Sequence, residues 1–385
     1  MKESKPAHES NLTKAEFERY SRQIVMPEIG PQGQEKLKAS SVLVVGMGGL
    51  GTPAAVFLAA AGVGRIGLVD FDTVQASNLH RQVLYSEQDL GKKKVEVAKS
   101  RLHMTNPHIR IEIFDTKLDS TNALEILRGY DIVIDGTDNF PARYLIGDAC
   151  VLLGTPDVYA SVFRLDGQMT VFAKSGPCYR CIYPEPPPPD TVPSCAEAGV
   201  LGVLPGIMGS LQAAEALKLI LHIGDPLIGR LLVLEATEMR FTEIRVGKNP
   251  DCAICGTNPS VQGLQDYDAF CGAAVSVGEP VPEVTPILLK RMLDEGREIE
   301  LVDVREPFEY EICHLEGSKL VPLSQLQAGA GDLSKSKTVV VYCHHGRRSA
   351  NAVSYLTSAG FKDVKNLRGG IEAWRIEVDP EILEY

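Results

Sequence analysis

The chain has 385 residues, and its 39 Lys and Arg against 50 Asp and Glu give a formal net charge of −11. That balance argues against non-specific nucleic-acid binding, which needs clustered cations to neutralise phosphates. With 44% hydrophobic and 23% charged residues the composition is that of a globular protein of about two domains.

The polar start, MKESKPAHES, has no apolar segment of the kind a secretory leader carries, so a cytoplasmic protein is expected. Val42–Val45 is a short β-branched run that reads as a buried parallel strand. A glycine turn follows, then a helix with Pro53 in its first turn, then a strand over 66–69. A helix over 95–104 lies between that strand and the next ones, at 109–114 and 132–134. This alternation predicts an α/β fold with a parallel sheet covered on both faces. The run PEPPPPD, 184–190, can be neither helix nor central strand. The stretch from Val200 to Gly224 is strongly apolar but contains Pro205, Glu215 and Lys218, which favours a buried helix over a membrane span. Late strands are expected at 230–234 and 241–246. A Gly-, Pro- and Ser-rich region over 257–282 reads as an interdomain linker. A second, smaller α/β pattern occupies 283–385. No internal repeat is visible.

Gly46-Met47-Gly48-Gly49-Leu50-Gly51 has the spacing G-x-G-x-x-G between a predicted strand and a helix. Gly46, Gly48, Gly49 and Gly51 permit a tight turn and close approach of backbone N–H groups to phosphate. Asp70 ends the next strand, where a carboxylate can bind a ribose hydroxyl. These features indicate an adenine nucleotide and leave an NAD-dependent oxidoreductase as an alternative. The residues around them narrow the reading. RYSRQIVMPEIG (19–30), VDFDTVQASNLHRQ (69–82), GKKKVE (91–96), NPHI (106–109) and DGTDNFPAR (135–143) stand in that order.

Together with GMGGLG, they resemble the molybdopterin-synthase and thiamine-carrier adenylyltransferases, MoeB and ThiF, over residues 10–256. The resemblance implies a Rossmann-like mixed sheet, a homodimer, and ATP-dependent adenylation of the C-terminal glycine carboxylate of a small Gly-Gly-terminated sulfur-carrier protein. By the same resemblance Asp70 and Asn78 would hold the nucleoside, Arg81 and Lys94 the phosphates, and Asp138 a Mg²⁺ ion. Arg22 would reach across the homodimer interface. Physically, a carboxylate has to attack an α-phosphate, so the site needs cations to bring two anions together. Asp135 is either a helix-cap or turn residue or a second acidic ligand. A protein that merely binds the carrier tail would need none of this charge.

Cys178-x-x-Cys181 and Cys252-x-x-Cys255 lie about 70 residues apart, and two such knuckles suit a closed tetrahedral Zn²⁺ site. The resembling family carries a structural zinc there. Cys195, in PSCAEAGVLG, is either passive or, as in that family, a nucleophile toward the acyl-adenylate or its product. At the other end of the chain, Cys343-His344-His345-Gly346-Arg347-Arg348-Ser349 follows TVVVY and precedes a helix. A cysteine so placed sits in backbone N–H groups that favour a thiolate or persulfide.

With LVDVREPFEYEICHLEGSKLVPL (301–323) and NLRGGIEAW (366–374), that loop resembles the single-domain rhodanese sulfurtransferases. Cys343 would carry the persulfide, Arg348 would close the loop and add charge, and Asp303 and Arg305 would support it. Cysteine phosphatases on this scaffold have one more residue between Cys and Arg, making room for phosphate. His344-His345 departs from the Arg or Lys common after a rhodanese cysteine. The sulfur donor is left open between thiosulfate and the persulfide of a cysteine desulfurase. The fusion implies adenylation followed by sulfur transfer to give a carrier thiocarboxylate.

Overall fold

The computed structural model describes residues 11–187, 198–271 and 281–384. The chain divides into two compact units, Met1–Ala274 and Val275–Tyr385.

In the first unit, the described residues form one sheet of eight strands: β1 (Ser41–Val45), β2 (Arg65–Val69), β3 (Arg110–Phe114), β4 (Ile132–Asp135), β5 (Asp157–Phe163), β6 (Asp166–Phe172), β7 (Arg230–Glu235) and β8 (Arg240–Arg245). Their order is β3-β2-β1-β4-β5-β6-β7-β8. The first five are parallel, and β6 to β8 run antiparallel to their neighbours. The SVLVV sequence of β1 is buried along its whole length, because it pairs with β2 on one side and β4 on the other and has helices on both faces. One face carries the Gly51–Ala61 and Val203–Leu221 helices, whose Leu58, Met208 and Ala216 pack with Val42, Val44 and Ile66. The other face carries Phe140–Leu153, whose Tyr144 and Ile146 pack with Leu43, Val133 and Tyr159.

Val203–Leu221 is long and apolar enough to cross a membrane, but half of that stretch is buried within the unit. Its Glu215 accepts the Leu227 N–H at 2.8 Å, and Gln212 donates to the carbonyls of Asp135 and Val158. It is a core helix, as Glu215 and Lys218 foretold.

The hairpin β5–β6 was not apparent in the sequence. Its turn, Arg164-Leu165, contains neither Gly nor Asn, and Arg164 takes φ 54° in the left-handed region. Within the expected linker span, Tyr267–Phe270 forms a helical turn whose Tyr267 is buried with Tyr144 and Tyr179.

The second unit is a parallel sheet of the order β11-β10-β12-β13-β9, from β9 (Glu283–Val284), β10 (Ile299–Asp303), β11 (Lys319–Leu320), β12 (Thr338–Tyr342) and β13 (Val364–Leu367). Central β12 is flanked by β10 and β13. The Arg347–Ser358 helix covers one face through Ala352, Val353 and Leu356. Leu289 and Trp374 lie on the other.

Candidate active sites and metal centre

The glycine turn leaves the C-terminal end of β1 between β2 and β4. This is where strand order reverses, the usual ligand crevice of an open α/β sheet. Gly46 has φ 87°, which side chains rarely adopt, and a Cβ on Gly51 would lie 1.8 Å from the Gly46 carbonyl oxygen. These two glycines fold the turn onto itself and onto Gly136. Gly49 abuts Pro205 of the long core helix, whereas Gly48 meets only the Gln82 amide at 3.7 Å. Gly48 is therefore the position with room for a ligand.

The segment 70–94 wraps this turn. Asp70 accepts the Met47 N–H at 2.7 Å and the Asp72 N–H at 2.8 Å. Burial raises its carboxyl above the ordinary range despite the opposing charge of Lys94. Lys94, itself buried, pairs with Asp72 at 2.9 Å. Tyr85 donates to the Met47 carbonyl at 2.8 Å. Arg81 holds the Ser77 carbonyl at 2.8 Å, and its Cγ lies 3.7 Å from where a Gly49 Cβ would stand. Asn78, buried in the short helix Ala76–Asn78, caps it through Gln75. Asp138 is exposed just past β4. Asp70, Arg81 and Lys94 thus share the neighbourhood of the turn.

Asp135 is a turn residue: one carboxylate oxygen accepts the Thr137 N–H at 2.9 Å and hydroxyl at 2.6 Å. Arg22 is not brought to this turn within its own chain. It is exposed, beside Gln23, which donates to the Ala61 carbonyl at the far end of the Gly51–Ala61 helix. Eleven helical residues span roughly 16 Å.

At the start of β5, Asp157 is buried and neither of its carboxylate oxygens has a hydrogen-bond partner. Burial, reinforced by Asp135, pushes its carboxyl well up. A raised carboxyl leaves stability intact below the unfolded-state value near pH 4 and erodes it as pH rises toward the folded value. Asp157→Asn is therefore expected to match the parent at pH 4 and to exceed it by roughly 1–3 kcal/mol at pH 8. Urea unfolding at the two pH values tests this, and an equal difference at both would refute it.

The four knuckle cysteines converge, with all four Sγ atoms within 4.8 Å of one another. Cys178 lies 3.8 Å from Cys181 and 3.5 Å from Cys252, and Cys181 lies 3.3 Å from Cys255. Tetrahedral Zn²⁺ with bonds of about 2.3 Å sets its sulfurs about 3.8 Å apart, so the donor set fits. Burial pushes the Cys178 thiol up and Cys255 up to about 12, and a bound cation is what would hold such crowded sulfurs as thiolates. Arg180, inside the first knuckle, makes a bidentate pair with Asp148 at 2.8 Å for both bonds. Tyr267 donates to the same carboxylate at 2.7 Å, and the Arg180 guanidinium lies 4.5 Å from the Phe270 ring. Cys252→Ser is expected to lose bound zinc and lower the melting temperature, read by elemental analysis and calorimetry. Retention of one equivalent of zinc would refute the four-thiolate site.

In the second unit, Cys343 follows β12 directly and is buried, in the loop that leads into Arg347–Ser358. Its sulfur accepts the Gly346 N–H at 3.2 Å and faces the Ser349 hydroxyl at 3.4 Å. Arg348 does not point its charge freely at the sulfur. It forms a bidentate pair with buried Glu309 at 2.7 and 2.8 Å. Burial alone would raise Glu309, but Arg348 and the Glu306 N–H hold it below the ordinary range. Asp303 and Arg305, both fully buried, pair beneath the loop, and Arg305 also reaches the Cys313 carbonyl at 2.7 Å. His344 is buried, stacks on His345 at 4.2 Å, and is pushed down to about 4 by burial and by His345. Cys195 lies outside the described residues. The sequence reading missed Glu309, Arg180, Asp148 and Tyr267, because each is defined by a partner distant in the chain.

Residues 20–254 match the ThiF family, and residues 285–377 match the rhodanese-like domain. The chain is 43% identical to the probable adenylyltransferase/sulfurtransferase MoeZ of Mycobacterium tuberculosis, over 98% of this chain and 97% of that protein. It is 55% identical to the sulfur carrier protein adenylyltransferase of Thermus thermophilus, over 68% of this chain and 98% of that protein. It is also 43% identical to the adenylyltransferase and sulfurtransferase MOCS3 of Drosophila yakuba, over 98% and 86% of the two chains. Among solved structures, Escherichia coli MccB with ATP superposes with a TM-score of 0.56 at 26% identity, over 65% of this chain and 77% of that one. With its glycine turn at the strand-order reversal and its cysteine cradle in a second α/β unit, the chain belongs to the ThiF family and joins that fold to a rhodanese-like domain.

Proposed function

We propose that this enzyme is an adenylyltransferase and sulfurtransferase acting on a small ubiquitin-like sulfur-carrier protein that ends in Gly-Gly. The observation that carries the reading is the pairing, in one chain, of an open glycine turn beside Asp70, Arg81 and Lys94 with a cysteine held by backbone N–H at a helix N-terminus. Adenylation belongs to residues 10–256 and sulfur transfer to 283–385, with 257–282 joining them.

In the first half, ATP lies over Gly48. Asp70 and Asn78 bind the nucleoside, and Arg81 and Lys94 draw the phosphates toward the carrier's carboxylate. Asp138 would hold Mg²⁺, which would offset phosphate charge. A single exposed carboxylate suits an ion that is otherwise held by phosphate oxygens and water. The carboxylate attacks the α-phosphorus, and pyrophosphate leaves with the electron pair of the broken P–O bond.

In the second half, Cys343 thiolate attacks the outer sulfur of thiosulfate or of a desulfurase persulfide, and sulfite or the desulfurase thiolate leaves with the electron pair of the broken S–S bond. The outer sulfur of the resulting persulfide then attacks the acyl-adenylate carbon and expels AMP. Cys195 resolves the intermediate by forming a disulfide or an acyl link, and the thiocarboxylate is released. Zinc stays structural, since four thiolates leave it no open position. A reducing compartment, the cytoplasm, suits chemistry that depends on these thiols.

Arg22 completes the site from a second copy. Support comes from its exposure at the far end of the Gly51–Ala61 helix, next to exposed Val25 and Met26. The test is carrier-dependent ATP–pyrophosphate exchange. Arg22→Ala and Lys94→Ala are each expected to be inactive alone. After re-association of an equal mixture, about a quarter of parental exchange should return, because half the dimers then hold one intact site. Absence of recovery would place Arg22 in its own chain's site or outside catalysis. Absence of exchange in the parent with every Gly-Gly carrier tried would sink the adenylation reading.

A further inference from the structure

Two of the hydrogen-bond donors to the Cys343 sulfur among the described residues differ in character. The Gly346 N–H is fixed by the backbone at 3.2 Å. The Ser349 hydroxyl, fully buried, has one proton and two acceptors within reach: the sulfur at 3.4 Å and the Asn366 side-chain oxygen at 2.7 Å. Asn366 cannot turn its amide around freely. Its Nδ2 donates to Glu283 at 3.2 Å, and its backbone is fixed in β13, where its N–H bonds the Pro282 carbonyl at 2.8 Å. The amide oxygen is thereby aimed at Ser349 from a strand outside the Cys343–Arg348 loop.

We propose that Ser349 and Asn366 form a hydroxyl switch that sets how readily the Cys343 sulfur becomes and stays an anion. Beside a neutral thiol, the Ser349 proton rests on Asn366. Beside a thiolate or persulfide, it turns to the sulfur, because a hydrogen bond to an ionised acceptor is the stronger one. Ser349 and Asn366 are positioning residues, since neither exchanges atoms with substrate. The inference rests on the reading of Cys343 as a sulfur carrier and deepens it: Asn366 competes with the sulfur for the proton and so restrains thiolate formation.

The experiment follows alkylation of Cys343 by iodoacetamide as a function of pH in the full chain, quantifying the Cys343 peptide by mass spectrometry. Ser349→Ala is expected to move the midpoint of the rate–pH curve up by about one unit. Ser349→Thr, which keeps the hydroxyl, should return it to the parental position. Asn366→Ala should move it the opposite way, downward, because the hydroxyl loses its competing acceptor. The other titratable and charged groups around the loop include Arg347, Glu309 with Arg348, Arg305 with Asp303, Glu283, Glu372 and the His344–His345 stack. All are retained in these variants.

An unmoved midpoint in Ser349→Ala, or shifts of the same sign in the Ala variants at 349 and 366, would overturn the switch. Simple loosening of the loop gives shifts of the same sign. Should Ser349→Ala fail to fold, the downward shift of Asn366→Ala still decides the matter. A parent chain that accepts no sulfur from thiosulfate or a protein persulfide would instead sink the sulfur-carrier reading and leave the alkylation result standing.

Discussion

Cys343→Ser is expected to abolish formation of carrier thiocarboxylate, by at least about three orders of magnitude, while carrier-dependent pyrophosphate exchange stays within about twofold of the parent. The loss is large because a serine oxygen cannot hold sulfane sulfur, and the surrounding N–H groups and helix N-terminus then stabilise nothing that reacts. Exchange survives because the glycine turn belongs to a separate compact unit with its own core. The two activities should therefore be assayed on the same preparation, one by thiocarboxylate mass and the other by labelled pyrophosphate. Undiminished thiocarboxylate in the variant would mean that sulfur enters from elsewhere, and the role of the second unit would have to be rethought.

Asp148→Ala should be the most destabilising single change in the first unit, costing about 3–5 kcal/mol. Asp148 and Arg180 are both almost entirely buried, at 1% and 4% side-chain exposure, so removing the carboxylate strands a guanidinium in an apolar site. The Tyr267 hydroxyl loses its acceptor at the same time, which weakens the seat of Tyr267–Phe270 on the Phe140–Leu153 helix. Arg180 lies between Cys178 and Cys181, so the zinc knuckle should loosen as well. The expected signature is a lower melting temperature together with faster zinc transfer to a chelator and earlier proteolysis within 264–271. Replacing both partners, Asp148→Leu with Arg180→Met, should cost less than either single loss, because no buried charge remains. A melting temperature unchanged in Asp148→Ala would contradict this account.

Much of the nucleotide and sulfur chemistry was legible because it is written in contiguous residues. The glycine spacing, the acid at the end of the second strand and the cysteine between strand and helix are each local patterns whose backbone geometry follows from residue type. The two C-x-x-C pairs were legible for a related reason, since two half-sites of the same metal imply that the fold must bring them together. The β5–β6 hairpin escaped because β5 is buried almost throughout and lacks alternation, and because its turn uses Arg164 where glycine or asparagine would have signalled it. The segment before residue 271 read as plain linker because one buried tyrosine, Tyr267, carries no periodicity.

The charges were the least legible. Arg348 was expected to add positive potential at the sulfur, and its pairing with Glu309, 39 residues earlier, came from the packing of the Pro307–Ile312 helix against the loop. The sequence alone determined which chemistries this protein can attempt, because backbone turns and nucleophile cradles depend on neighbours within a few residues. The tertiary structure alone decided which charges are free and which are neutralised, and which hydroxyl faces the reactive sulfur. Coulomb and hydrogen-bond energies depend on distances of a few ångströms that only the folded chain sets.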